Sequence, residues 1–551
     1  MNNLLLEIYM GVPTLTDFWL SVVISLIATL FALAMATNSL HILQLSGYKL
    51  RGYTDWLKQT KFSEFGRFLI ITLLSTGAML ITNVLLDELL VGRALKYASI
   101  IFFFIFCFVY ALNQTSIPRK TPIKYTARMA RLVGLVAFLC FGISLGMMYL
   151  TVNCIRFFTA GGVLIIPVLL PAIIILAHFI MLPIEKLIAK KYIKKAKAKL
   201  AAHKDIIVIG ITGSYGKTTV KNIIASLLAE KYRVCVSPFS YNTPLGLCKT
   251  ILENMTNDDQ VLVAEMGARN VGDIKELCDM VNPTIGVITG IGNQHLMTFG
   301  SREQLISTKS ELVRHIEKNN GFVVVNTESE GAKQIYDQAS CKKLSVSITE
   351  KGDIYADNIV ATSNGSKFNL VIKGKSFETT TSLLGEHNIG NLLVGVTIAK
   401  ELGLSGAQIV DGIRKITPTS HRLAIVPSNN ALVVIDDAYN GSVEGSKSAL
   451  NVLSKFEGQK VVITPGLVEL GEEQFNCNFE FGRDMSKVCD YVIVTGISNW
   501  EAIYSGLKFA GFDTDKILRA GSLNQAVNML ATITNPGDVV LFENDLPDNY
   551  L

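Results

Sequence analysis

Hydrophobic positions in the first third of the chain come in long runs that polar residues scarcely interrupt, whereas from residue 205 onward they fall into short groups. Crossing a bilayer takes roughly 20 apolar residues. Five stretches reach or approach that length: 19–40, 68–90, 97–112, 132–152 and 158–184. The third is the shortest. The last contains Pro167, Pro171 and Pro183, which a helical bundle tolerates. No Asp, Glu, Lys or Arg sits deep inside a stretch, as an ion path would require. These residues therefore read as an anchor or a lipid-facing platform.

Beyond residue 205 the pattern predicts strands alternating with helices. Short apolar runs at 206–211, 261–264, 285–289 and 321–326 have the character of buried parallel strands. A polar, strand-like segment at 352–381 reads as an inserted hairpin region. The alternation restarts after Pro418, with strands expected at 431–436, 460–464, 491–495 and 538–542. Alternation of this kind predicts doubly wound parallel sheets. The expected fold class is thus an α-helical membrane bundle followed by α/β. The boundaries fall at 1–185 for about five transmembrane helices, 186–204 for a basic juxtamembrane linker, 205–416 for a nucleotide-binding lobe and 417–551 for a second, Rossmann-like lobe.

Charge refines this picture. The 551 residues carry a formal net charge of only +5, but the segment from Lys186 to Lys204 holds eight lysines and no acid. It lacks the interleaved aromatics of a nucleic-acid surface, so no nucleic-acid partner is expected. A basic run beside an apolar span fits a cytoplasmic stretch near anionic lipid. Lys and Arg also crowd the loops after the first and third spans, which predicts an N-terminus outside and the α/β lobes inside. The extreme N-terminus has no secretory cleavage pattern, so the first span is expected to be retained. The nine cysteines form no CxxC pair and read as reduced, buried thiols.

The first strand runs into TGSYGKTT, residues 212–219, and then into an amphipathic helix. Gly213, Ser214 and Gly216 let backbone N–H groups curl around phosphate oxygens. Lys217 would reach the β and γ phosphates, Thr218 would hold Mg²⁺, and Thr219 completes the loop at the helix start. Ile211 stands where a strict GxxxxGK[ST] pattern has its first glycine. The bland alternative, a structural glycine turn, has no need of Lys217 and Thr218.

TGSYGKTT, AEMGA, TGIGNQH and TKSEL together resemble the Mur ligase family, which adds amino acids or peptides to cell-wall precursors. GEHNIGNLLVGVTIAKELGL, HRLAIV, IDDAYNGSVEGSKSAL and GLVELGEE follow in the family's order. The last two are most similar to the branch that adds D-alanyl-D-alanine. The resemblance implies ATP and Mg²⁺ as cofactors, an acyl-phosphate route, a carboxylate-bearing cell-wall or lipid-linked precursor, and an amino acid or peptide amine. It implies that Glu265 and His295 join Thr218 around the metal, and that Lys309 is carboxylated by CO₂ to a carbamate. It places Asn242 near the acyl substrate. His387, Asn388 and Asn391 match the family's nucleotide-contacting turn, as do Asp437, Tyr439 and Asn440 its DDxYN stretch. Arg422 would come from the last lobe to the γ-phosphate.

Two departures stand out. The family's soluble N-terminal domain, which holds the UDP part of the precursor, is replaced by the apolar spans, making a lipid-linked or membrane-delivered acceptor attractive. The final strand runs into FENDLPDNYL, with Glu543, Asp545 and Asp548, where the D-alanyl-D-alanine branch has a basic KGSR stretch. Carboxylates there would repel a dipeptide's free carboxylate, so D-alanyl-D-alanine is expected to be a poor substrate. An ATP-driven membrane transporter or ATP sensor is the competing reading, though no LSGGQ-type coupling motif occurs. A polyglutamate-type synthase is the third.

Overall fold

The computed structural model describes residues 15–59, 122–154, 166–292 and 299–544, except 363, 429, 430, 440 and 469, with scattered helical positions between 66 and 112. The chain divides into two compact units, with the boundary along the sequence near residue 188.

The first unit is helical. Its described helices are Leu15–Leu45, Leu50–Gln59, Ala127–Cys154 and the start of Ile166–Ala202. Among the described residues, three segments are long and apolar enough to cross a membrane: Ser21–Leu45, Ala127–Met147 and Ile166–Ala202. They match the first, fourth and fifth expected spans. The expected spans at 68–90 and 97–112 lie largely outside the described residues. Small and aliphatic side chains, among them Ala32, Ala36, Val136 and Ile174, are buried between the helices, while Leu30, Phe138 and Phe179 face outward. Arg131 donates to Glu185 at 2.8 Å, neutralising the acid at the polar end of its helix.

The segment 186–204, expected as a basic juxtamembrane linker, is regular structure and continues the last apolar helix. It is helix as far as Ala202, because Lys, Ala and Leu are strong helix formers. Ala196 and Leu200 are buried in the core of the second unit, with Ile193 packed against it.

In the second unit, buried β-branched runs build the first sheet. It comprises β1 (Ile207–Thr212), β2 (Val234–Val236), β3 (Val261–Glu265), β4 (Ile285–Ile288), β5 (Phe322–Asn326) and β6 (Lys342–Val346). All pairs are parallel and the order is β2-β3-β1-β4-β5-β6. Apolar cores cover both faces, as a parallel sheet requires. The chain leaves β1 for one side of the sheet and later crosses to β4 on the other. The loop after β1 therefore sits at a topological switch point, where such sheets bind ligands.

The inserted segment is a three-stranded antiparallel sheet: β7 (Ile354–Thr362), β8 (Gly365–Ile372) and β9 (Lys375–Thr381). The last sheet comprises β10 (Ala424–Val426), β11 (Val433–Asp437), β12 (Lys460–Thr464), β13 (Tyr491–Thr495), β14 (Ile517–Ala520) and β15 (Val539–Glu543). Its order is β10-β11-β15-β12-β13-β14, and only β10 is antiparallel to its neighbour. Strands β2, β6, β10 and β14 were not evident from the sequence.

Candidate active site

The phosphate loop is shaped by two glycines. A Cβ on Gly213 would lie 1.9 Å from Thr289 Oγ1, and one on Gly216 would lie 2.9 Å from Asn391 Oδ1. Gly216 has φ 79° and caps the helix Lys217–Leu228, a backbone state that glycine reaches without steric penalty. Ser214 is buried and its N–H donates to Gly290 O at 2.7 Å. Thr219 is buried in the first helical turn. The N-terminus of this helix opens on the loop, so its free N–H groups and dipole favour an anion there.

Lys217 Nζ donates to Gly213 O and Ser214 O, each at 2.8 Å. Burial lowers its pKa to about 8, with Glu265 opposing and Arg422 adding to the effect. Thr218 Oγ1 donates to Glu265 Oε2 at 3.0 Å. Glu265 ends β3 and is 1% exposed. Its other oxygen, Oε1, accepts from Asn242 Nδ2 at 3.0 Å. Asn242 thus contacts the candidate metal carboxylate directly. A hydroxyl and a carboxylate side by side beneath a phosphate loop are hard oxygen donors that suit Mg²⁺. His295 lies outside the described residues.

Lys221 is a functional candidate that sequence reading missed. It lies one turn after Lys217, is 1% exposed and sits 3.6 Å from Glu265 Oε2. Its ammonium donates to Ser237 O at 2.7 Å and also to Phe239 O, pinning the loop that carries Asn242. Only its pairing across the fold distinguishes it from an ordinary helix lysine.

Lys309 lies on the helix Arg302–Lys318 and is 2% exposed. Burial, and then the charge of Lys217, lower its pKa to about 7. Asn388 Nδ2 donates to Leu384 O at 2.8 Å, and Asn391 Nδ2 donates to Asn388 Oδ1 at 3.1 Å. These bonds aim Asn391 at Gly216. His387 stands at the start of the same helix, where burial lowers its pKa to about 4.

The last lobe brings Arg422 to this cluster. His421 and Leu423, on either side of it, have φ of 59° and 49°, a conformation non-glycine residues rarely adopt. Several bonds hold it. His421 Nδ1 pairs with Asp436 Oδ2 at 2.6 Å, Leu423 N–H donates to Asp437 Oδ1 at 3.0 Å, and Tyr439 N–H donates to His421 O at 3.2 Å. The guanidinium lies 4.5 Å from the centre of the Tyr439 ring, within cation–π range. Its charge acts on Lys217, and Glu265 is among the acids whose charge favours the protonated guanidinium. Asn222 Nδ2 donates to Thr419 Oγ1 at 2.9 Å, tying this lobe to the phosphate-loop helix. Asn440 lies outside the described residues.

Glu543 is 0% exposed, in register with Asp437 on the adjacent strand. It does not face the cleft as its charge suggested; Asp545 and Asp548 lie outside the described residues. Asn544, also unforeseen, has φ 63° and joins three strand ends. Its side chain accepts from Gly441 N–H at 3.0 Å and donates to Gly466 O at 2.6 Å.

Residues 211–399 match the family pattern described as Mur ligase middle domain, and residues 421–543 match Mur ligase, glutamate ligase domain. The UDP-N-acetylmuramoyl-tripeptide–D-alanyl-D-alanine ligase of Mycobacterium tuberculosis is 30% identical over 359 residues, covering 61% of this chain and 70% of that protein. The enzyme of the same name from Bacillus subtilis is 27% identical over 339 residues, covering 61% and 72%. Among solved structures, MurF from Acinetobacter baumannii superposes with a TM-score of 0.58 at 26% identity, over 66% of this chain and 78% of that one. MurF ligase from Thermotoga maritima in complex with ADP gives 0.58 at 26% identity, over 65% and 80%.

Proposed function

The chain belongs to the Mur ligase family of ATP-dependent carbon–nitrogen ligases, and from that premise we propose that it adds a dipeptide of the D-alanyl-D-alanine type to a carboxylate-ended cell-wall precursor at the cytoplasmic face of a membrane. The observation that carries this reading is the convergence of Lys217, Thr218, Glu265 and Arg422 from two lobes on one phosphate loop.

The acceptor carboxylate and the γ-phosphate are both anionic, so their approach needs cationic clamps. Lys217, from the phosphate loop, and Arg422, from the last lobe, supply them. Thr218 and Glu265 would hold Mg²⁺, with His295 as the further ligand the family implies; bound there, Mg²⁺ neutralises phosphate charge. The acceptor oxygen bonds to the γ-phosphorus as the bond to ADP breaks, giving an acyl-phosphate. The amine then attacks the acyl carbon, loses a proton and expels phosphate. Lys309, whose lowered pKa of about 7 leaves a large share of free amine near neutral pH, can add CO₂ and release a proton, becoming a carbamate. That would turn a second buried cation beside Lys217 into an anion.

The dipeptide follows the named activity of the relatives. The expected repulsion lost its basis in Glu543, which is buried against Asp437. The match covers about 70% of those relatives, and apolar helices precede it here. A membrane-delivered acceptor fits that exchange.

Purified full-length protein in lipid nanodiscs, given ATP, D-alanyl-D-alanine and either a UDP-linked or a lipid-linked tripeptide, tests this reading by product mass and ADP release. The expected product is the extended lipid-linked precursor, one ADP per bond. Turnover with other amines but not this dipeptide would overturn the amine assignment, and use of the UDP-linked acceptor alone would overturn the membrane-delivered one. Lys217→Ala and Glu265→Ala should each lower turnover by about 10²-fold or more. A cysteine placed at Ser214 should label only from inside the cell.

A further inference from the structure

Asp437 ends β11 and Glu543 ends β15, and the two are register partners on adjacent parallel strands. Neighbouring parallel strands lie about 4.8 Å apart, so two side chains at one register position share a face and meet. Glu543 is wholly buried, and no donor among the described residues reaches either of its carboxylate oxygens. Asp437 spends Oδ1 on the Leu423 N–H, which leaves Oδ2 for its neighbour. A bare buried carboxylate pair is strongly disfavoured, and one proton held between them removes the conflict. The groups around the pair are the Arg422 guanidinium, the hydrogen-bonded Asp436 and His421, Tyr439, and, across the cleft, Glu265 and Lys217.

We propose that Glu543 is a positioning residue for Arg422: it shares one proton with Asp437, and the resulting single negative charge holds the guanidinium at the phosphate end of the cleft. This rests on the assignment of Arg422 to the γ-phosphate. With both protons lost, a doubly negative pair would draw Arg422 down onto the strand ends; with no partner at 543, Asp437 would turn from its bond to Leu423. Burial holds both carboxyls above their usual range, Asp437 at about 6 and Glu543 well above it, consistent with one retained proton.

The test is the ratio of Mg–ATP to Mg–ADP affinity, measured on the full chain in nanodiscs, because only ATP offers a γ-phosphate. Glu543→Ala should lower ATP affinity by about tenfold with ADP affinity unchanged, the scale of one charged hydrogen bond. Glu543→Gln, whose amide can donate to Asp437 in place of the proton, should restore the ratio. Lys217 and Lys309 titrate in both proteins, so the expected signature is a difference: as pH rises the ratio should fall more steeply in the unmodified protein, which can lose the shared proton, than in Glu543→Gln, which has none to lose. Equal behaviour of the Ala and Gln variants, or equal weakening of both nucleotides, overturns the proposal. Should the Ala variant fail to fold, the pH comparison alone decides. Arg422→Ala separates the two assignments. A lowered ratio there with no distinction between Ala and Gln at 543 leaves Arg422 on the γ-phosphate and removes Glu543, whereas an unchanged ratio removes both.

Discussion

Asn242 Nδ2 donates to Glu265 Oε1 at 3.0 Å, so the two oxygens of one buried carboxylate are held by an amide and by the Thr218 hydroxyl. Asn242 therefore orients the candidate metal ligand. Asn242→Ala should raise the Mg²⁺ concentration for half-maximal turnover by about tenfold, the lower end of losses from removing a group behind a metal ligand. Excess Mg²⁺ should restore most of the rate. Asn242→Asp, which sets a second negative charge against Glu265, should misplace the ligand further. A Mg²⁺ titration of ATP turnover checks both; unchanged metal dependence in Asn242→Ala would refute the role.

The phosphate loop predicts a suppressible clash. Gly213→Ala places a methyl 1.9 Å from Thr289 Oγ1, so the loop must open. ATP binding should weaken by about 100-fold or more, because the loop's N–H groups no longer converge. Adding Thr289→Ala should recover part of that loss. Isothermal titration with Mg–ATP reads both variants, and a double variant no better than the single would sink the explanation.

Lys309 gives the site a dependence on dissolved CO₂. Its pKa is lowered to about 7, so the free amine needed for carbamate formation declines as pH falls through that value. Turnover should drop over the same range, and added bicarbonate should recover part of it. Lys309→Ala should lose about 10²-fold, the scale of removing one preorganised charge, with no response to bicarbonate. Full activity in that variant would remove the carbamate from the mechanism.

His387 ties stability to pH. An unfolded histidine takes up its proton near pH 6.5, whereas in the fold burial delays protonation until about pH 4. Between those values the unfolded chain binds more protons, so this contribution to stability is present above about 6.5 and is lost as pH falls toward 4. The melting temperature should decline over that window, and His387→Asn should flatten the decline. Matching slopes in the two proteins would argue against it.

Sequence patterning revealed what local chemistry dictates. The strands β1, β3, β4, β5, β12 and β13 are each built on a short apolar run, and glycine spacing marks the loop around Lys217. Strand β2 has three residues, β6 begins with two lysines, and β14 carries Arg519, so none stands out from its surroundings. The helical packing of the basic juxtamembrane tract 186–204 was hidden because its apolar stripe, Ile193, Ala196 and Leu200, is thin against so many lysines. Lys221 and Glu543 acquire their roles from partners far along the chain, Phe239 and Asp437, and nothing in their immediate neighbours announces that. His295 and Asn440 keep only the roles the family implies.

The position of β15 between β11 and β12 bears on how the enzyme comes into being. Val433 pairs with Val539, residues about a hundred positions apart, and closing so long a loop is entropically slow. Until β15 docks, β11 can pair only with the three residues of β10, and Asp437 lacks its neighbour. The nucleotide-binding lobe, whose strands pair over shorter separations, can be complete well before then. A newly made molecule would pass through a stage that holds a finished phosphate loop but no anchored Arg422. Such a molecule can bind nucleotide without spending it.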